Sequence, residues 1–143
     1  MKEGIFRMPR KILVIDDEDS IREVTQVTLE MLSEWKVQTA RSGREGIRLA
    51  AADPPDAILL DVMMPDMDGP ATLQELASSA LTRDIPVLFL TAKVQATDIR
   101  RFLGLGVKGV IAKPFDPLDL ARQVAEALGW EPEQREIAER RPM

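Results

Sequence analysis

Short apolar runs recur along the chain, and each ends on a polar residue. The runs at 12–15 (ILVI), 57–60 (AILL) and 87–90 (VLFL) are continuous and rich in β-branched or bulky side chains. Such runs suit strands covered on both faces, as in a parallel sheet. Two weaker strands are expected at 36–40 (KVQTA) and 109–112 (GVIA).

Between these runs the apolar period becomes that of a helix. Ser20 to Glu23 and Ser42 to Glu45 have capping-box spacing, a hydroxyl followed by a glutamate three residues later. Beyond Ser20, Ile21, Val24, Val27 and Met31 fall on one stripe, the expected buried face of a first long helix. A third helix is expected from Gly69-Pro70, with proline in its first turn, carrying Leu73, Leu76 and Ala77. A fourth is expected over 97–103. A fifth is expected from Asp116-Pro117, burying Leu120, Ala121, Val124, Ala125 and Leu128 and stopped by Gly129.

The order is strand then helix, five times over. That rhythm implies an α/β fold with parallel strands, right-handed crossovers and helices on both faces, a doubly wound (βα)5 sheet. No internal boundary interrupts it. We therefore expect an N-terminal arm at 1–9, one domain at 10–128, and a charged C-terminal tail at 129–143. The tail reads as a solvated extension, with a short helix from Pro132 as the alternative; Ile137 is its one large apolar residue between Pro132 and Pro142.

Composition narrows the chemistry. The 143 residues, 45% hydrophobic and 30% charged, fit one globular domain. A net charge of −5 argues against direct nucleic-acid binding, which needs clustered cations. The chain has no cysteine and no histidine, which removes thiolate catalysis, disulfides, imidazole bases and most zinc sites. No apolar run is long enough to span a membrane, and no secretory signal is evident, so a cytoplasmic location is the expectation.

The strand ends carry the remaining signal. Ligands of a doubly wound sheet bind beyond the carboxyl ends of the strands. Asp16 and Asp17 stand there on strand one and Asp61 on strand three. With strand order 2-1-3-4-5 those two strands are neighbours, about 4.8 Å apart. Two carboxylates about 5 Å apart repel by roughly 3 kcal/mol at an effective dielectric of ~20. A hard divalent cation such as Mg²⁺ suits such oxygens. Thr91 at the end of strand four and Lys113 at the end of strand five complete a set able to hold a phosphoryl group. Alone, Thr91 would be an ordinary strand-end threonine and Lys113 a surface lysine; their placement gives them weight. Glu18 and Asp19 read as turn residues, with Asp19 or Ser20 capping the helix, and Asp66 and Asp68 read as turn residues beside Pro65 and Gly69. Trp35 and Trp130 read as packing residues, and Met63, Met64 and Met67 as loop or packing residues.

The blocks IDDEDS, LLDVMMPDMDG, FLTA and IAKPF, in that order and each at an expected strand end, resemble the signature of the receiver domain of two-component response regulators. The resemblance covers about residues 10–128. It implies a CheY-like, flavodoxin-like fold and a phosphorylation-dependent switch rather than a turnover enzyme. Asp61 matches the phosphoacceptor, which takes the phosphoryl group from a phosphohistidine on a sensor histidine kinase or phosphotransfer protein. Asp17 and Asp61, with the backbone carbonyl of Met63, match the Mg²⁺ ligands, and Asp16 matches the acid holding metal-bound water. Thr91 matches the hydroxyl that turns toward the acyl phosphate. Lys113 matches the ammonium that pairs with it, and its bond to Pro114 is usually cis in the family. The implied output is a change of the face formed by helix four, strand five and helix five, which meets a downstream protein.

Three positions bear on how the switch is tuned. Val110 stands where an aromatic switch residue is usual, so output is expected to lean on the loop after Thr91. Met63 and Lys93 occupy the positions that tune phosphate lifetime. Two other functions compete. An Mg²⁺-dependent aspartyl phosphatase would call for Asp-x-Asp on the first strand, whereas residue 18 is Glu. A scaffold with altered switching is favoured by Val110 but opposed by the intact Asp16, Asp17, Asp61, Thr91 and Lys113 set. With no room for a DNA-binding domain after residue 128, a stand-alone or excised receiver is expected.

Overall fold

The computed structural model describes residues 9–130. Five strands, β1 (Lys11–Ile15), β2 (Lys36–Ala40), β3 (Ala57–Asp61), β4 (Val87–Thr91) and β5 (Gly109–Ala112), alternate with five helices. The helices are α1 (Asp19–Leu32), α2 (Gly43–Ala52), α3 (Gly69–Ala77), α4 (Ala96–Gly104) and α5 (Leu120–Leu128). All strand pairs are parallel and the order is β2-β1-β3-β4-β5, as the alternation implies. The expected tail helix from Pro132 and most of the N-terminal arm lie outside the described residues.

The strands divide their side chains between two cores. Ile12, Val14, Leu59, Leu88, Leu90 and Ile111 face α1 and α5, meeting Leu29, Leu120 and Val124. Leu13, Ile15, Ile58, Leu60 and Phe89 face α2, α3 and α4, meeting Ala50, Leu76 and Phe102. The central strands β3 and β4 are buried along their whole length, which is why their sequences run apolar without alternation.

The helix ends separate the sound expectations from the unsound ones. Ser42 caps α2: its Oγ accepts from Glu45 N at 3.1 Å, while Glu45 Oε1 accepts from Arg41 N at 2.8 Å. Asp68 caps α3 by accepting from Ala71 N at 2.9 Å, with Pro70 in the first turn. Gly129 closes α5 in the left-handed region at φ 71°. Ser20 caps nothing, and neither does Asp19. The helix starts at Asp19, so both expected caps lie inside it, and its N-cap Glu18 makes no side-chain cap bond. The fifth helix begins at Leu120 instead of Asp116, because Asp116 folds a turn: its carboxylate accepts from Leu118 N and its carbonyl from Asp119 N.

The expected buried stripe of α1 is also wrong. Val24, Val27 and Met31 are exposed, while Thr25 and Leu29 are buried. Apolar residues lie on both sides of this helix, so the period alone leaves its rotation open. The sheet selects the face holding Leu29, and it tolerates Thr25 there because the hydroxyl donates to Ile21 O at 2.7 Å.

Candidate functional site

The sheet register builds the site. Ile15 pairs with Leu60, so the next step places Asp16 beside Asp61. Asp61 pairs with Leu90, and Thr91 follows at the next position of β4. Thr91 pairs with Ala112, and Lys113 N donates to Thr91 O at 2.9 Å. Four strand ends thus deliver Asp16, Asp61, Thr91 and Lys113 to one edge of the sheet, with Asp17 half-buried next to Asp16.

Lys113 ties the strands together electrostatically. Its Nζ donates to Asp61 Oδ1 at 2.9 Å and lies 2.9 Å from Asp16 Oδ2 and 3.8 Å from Glu18 Oε1. The Lys113–Pro114 bond is cis. Burial pushes the Asp61 carboxyl up to about 6; the Lys113 hydrogen bond opposes that rise, and the charges of Asp16 and Asp17 reinforce it. Burial pulls Lys113 down, but its ion pairs with Asp16 and Asp61 outweigh it, so the ammonium is held above its ordinary value. The lysine therefore stays charged while Asp61 sits close to the physiological range.

Asp16 is fully buried and also organises the β1–α1 loop. Its Oδ1 accepts from Glu18 N at 2.9 Å, which stands in for the missing side-chain cap of α1. The Arg22 guanidinium donates to Asp16 O at 2.7 Å and pairs with Asp19. Arg22 thereby holds the backbone from which both acids project.

On the other side, the β3–α3 loop folds back against Asp61. Gly69 N donates to Val62 O at 2.8 Å. A Cβ on Gly69 would lie 2.8 Å from Val62 Cα and 2.9 Å from Asp61 O, so no side chain fits there. Within this loop Asp66 adopts φ 68°, and Met67 N donates to Pro65 O at 2.7 Å across it, a tight γ-turn in the left-handed region.

Thr91 is buried, and its Oγ1 accepts from Lys93 N at 2.9 Å. The hydroxyl proton remains available to donate. Asp17, Glu18, Asp61, Met63, Thr91 and Lys113 line one open cleft of about 340 Å³. Met63 is exposed at its mouth, and Val110 packs half-buried against the core on the α4 side of the sheet.

These residues fit a hard cation. Asp16, Asp17 and Asp61 bring carboxylate oxygens within 4.8 Å of one another. Asp16 Oδ2, though close to the lysine charge, receives no well-aligned hydrogen bond, so a buried lone pair is available. Oxygen-only donors in this number suit Mg²⁺.

The family model for the response regulator receiver domain matches residues 12–125. The chain belongs to this family. The receiver domain is a signalling domain of two-component systems. It is 40% identical over 121 residues to the alkaline phosphatase synthesis transcriptional regulatory protein PhoP of Bacillus subtilis, covering 85% of this chain and 49% of that protein. It is 38% identical to the ycf27 regulator of Cyanophora paradoxa over 83% of this chain and 48% of the relative. The chain thus spans about half the length of the curated relatives it matches. Among solved structures, Vibrio cholerae CheY4 superposes with TM-score 0.78 at 29% identity, covering 84% of this chain and 99% of CheY4. The N-terminal domain of a response regulator receiver protein from Methanoculleus marisnigri gives TM-score 0.69 at 37% identity, covering 85% and 98%.

One sheet edge brings together Asp16, Asp17, Asp61, Thr91 and Lys113, with Met63 at the mouth of their cleft. It also recruits three that the sequence reading passed over. Glu18, read as a turn residue, lines the cleft within reach of Lys113. Arg22, hidden in the polar face of α1, braces Asp16. Gly69, read as a helix start, is fixed by close backbone approach. Only Gly69 had a usable signal, a glycine between a turn and a helix proline. Among the described residues no helix is long and apolar enough to cross a membrane.

Proposed function

We propose that this receiver is a phosphorylation switch with Asp61 as acceptor. The observation that carries it is the convergence of three carboxylates and the Lys113 ammonium at one sheet edge. An Asp61 oxygen forms a bond to phosphorus as the P–N bond of a phosphohistidine on a sensor kinase or phosphotransfer protein breaks. The electron pair of that bond returns to the donor imidazole. Lys113, already on Asp61 Oδ1, compensates charge on the phosphoryl oxygens. Thr91 donates its free proton to one of them, which requires it to turn away from Lys93 N.

Asp17, Asp61 and the Met63 carbonyl would hold Mg²⁺ directly, and Asp16 a water bound to it. The ion supplies charge neutralisation between the carboxylates and the incoming phosphoryl group. With a valine at 110, movement of the β4–α4 loop after Thr91 carries the change to the face of α4, β5 and α5, where a downstream protein binds. Incubation with acetyl phosphate and Mg²⁺, followed by mass spectrometry, tests the proposal. A phosphoryl mass gain that disappears in Asp61→Asn is expected; persistence of the gain in that variant moves the acceptor elsewhere.

A further inference from the structure

The Arg22 guanidinium is turned inward, toward backbone instead of a cleft carboxylate. Its side chain is 13% exposed, and one arm donates to Asp16 O at 2.7 Å. Its backbone N donates to Glu18 O at 3.0 Å. The residue therefore grips the β1–α1 loop on both sides of Asp17. Asp17 depends on that grip. It is half-buried, with a carboxylate oxygen within 4.8 Å of those of Asp16 and Asp61, yet among the described residues its carboxylate has no hydrogen-bond or ion-pair partner. Asp16, by contrast, is pinned by its own groups. Its N donates to Ala40 O at 3.1 Å, its Oδ1 accepts from Glu18 N at 2.9 Å, and its Oδ2 lies 2.9 Å from Lys113 Nζ. The Asp17 side chain is aimed by the two peptide planes that flank it. Arg22 fixes the first through Asp16 O, and the Asp16 carboxylate fixes the second through Glu18 N.

We infer, on the reading of Asp16, Asp17 and Asp61 as the acids that hold Mg²⁺, that Arg22 is a positioning residue: it sets the affinity for the ion by aiming Asp17. It touches neither the ion nor the phosphoryl group. A bare cation beside the acids would oppose a metal ion, since like charges repel. Asp19 offsets that repulsion. It pairs with the other arm of the guanidinium and is itself exposed, outside the residues that line the cleft. The loop thus keeps the reach of the arginine while cancelling its charge. Groups that hold metal ligands from behind typically change affinity by about ten- to a hundredfold. Arg22 works through a backbone carbonyl, so the low end applies. Lysine is an incomplete substitute, because one ammonium on a flexible stem lacks the planar fork that serves Asp16 O and Asp19 together.

The test is calorimetric titration of Mg²⁺ into the full chain without phosphodonor, for wild type, Arg22→Ala, Arg22→Lys and Asp19→Asn, at a temperature where each is folded by circular dichroism. Arg22→Ala should raise the Mg²⁺ Kd about tenfold, and Arg22→Lys about threefold. The sign separates the causes, because removal of a positive charge near a cation site would on charge alone lower the Kd. Asp19→Asn uncovers the arginine's charge and should raise the Kd about twofold, an effect that fades with added KCl while that of Arg22→Ala persists. Labelling of Asp61 by acetyl phosphate should slow in Arg22→Ala at Mg²⁺ near the wild-type Kd and recover at saturating Mg²⁺. An unchanged or lower Kd in Arg22→Ala overturns the inference, as does a labelling defect that saturating Mg²⁺ leaves in place. Where Arg22→Ala does not fold, a wild-type Kd in Arg22→Lys overturns it instead. Absence of Mg²⁺ binding by the wild type overturns it together with the reading of the acids. A phosphoryl mass gain at Asp61 alongside an unchanged Kd in the variants removes Arg22 alone and leaves the acceptor in place.

Discussion

Lys113 reaches Asp61 across an intervening strand: its Nζ lies 2.9 Å from Asp61 Oδ1, although β4 separates β3 from β5. The same ammonium neutralises the fully buried Asp16. One side chain thus makes the crowding of acids tolerable before any ion arrives. Replacing it by alanine leaves two buried carboxylates without their cation. Lys113→Ala should destabilise the metal-free domain at pH 7 by about 1–3 kcal/mol, below the cost for a fully buried pair because Asp61 can take up a proton. Urea unfolding at pH 7 and pH 5 checks this, with the smaller loss expected at pH 5.

Asp61 has the opposite linkage from an ordinary paired carboxylate. Its folded value, about 6, lies above the ordinary carboxyl value of 3.8, so the folded state holds the proton more tightly. Stability of the metal-free protein from this group is therefore highest below pH 4 and is lost as the pH rises through 6. Asp61→Asn should remove that loss and stabilise the protein by roughly 1–3 kcal/mol at pH 7 but little at pH 4. The difference between the two unfolding curves across this range isolates the group from the other carboxylates.

Magnesium should stabilise the wild-type domain through the three acids. An excess of tenfold over Kd corresponds to about 1.4 kcal/mol, read as a rise in Tm. The rise should shrink sharply in Asp17→Asn and in Asp61→Asn. An equal rise in all three proteins would place the ion elsewhere.

Gly69→Ala should be costly despite adding one methyl group. The contacts it would create are with the backbone of Asp61 and Val62, which cannot swing aside. A loss of about 1–3 kcal/mol is expected. The displaced loop should also slow labelling of Asp61 by acetyl phosphate. A variant as stable and as quickly labelled as the wild type would remove Gly69 from the support of the site.

The pattern of apolar runs was enough to define the strands, because β3 and β4 are covered on both faces and admit no polar residue until they end. The positions of Asp16, Asp61, Thr91 and Lys113 followed, since each is the first polar residue a buried strand meets at its carboxyl edge or just beyond it. Capping chemistry was legible where the bonds are local, as at Ser42 and Asp68. It misled at Ser20, which lies inside α1: the helix starts at Asp19, after a turn in which the Asp16 carboxylate accepts from Glu18 N. The buried face of α1 was equally illegible: Val24 and Val27 match the helical period as well as Leu29 does, and only the sheet chooses between them.

The sequence by itself determined which residues are apolar enough to be strands, how strands and helices alternate, and which polar groups stand at the strand ends. Tertiary structure alone decided the distances: that Lys113 spans β4 to bond Asp61, that Arg22 and Glu18 join the acid loop, and that Gly69 must have no side chain. The physical reason is range. Burial period and capping act over a few residues along the chain, whereas charge compensation and steric exclusion act through space between segments that only the packed sheet brings together.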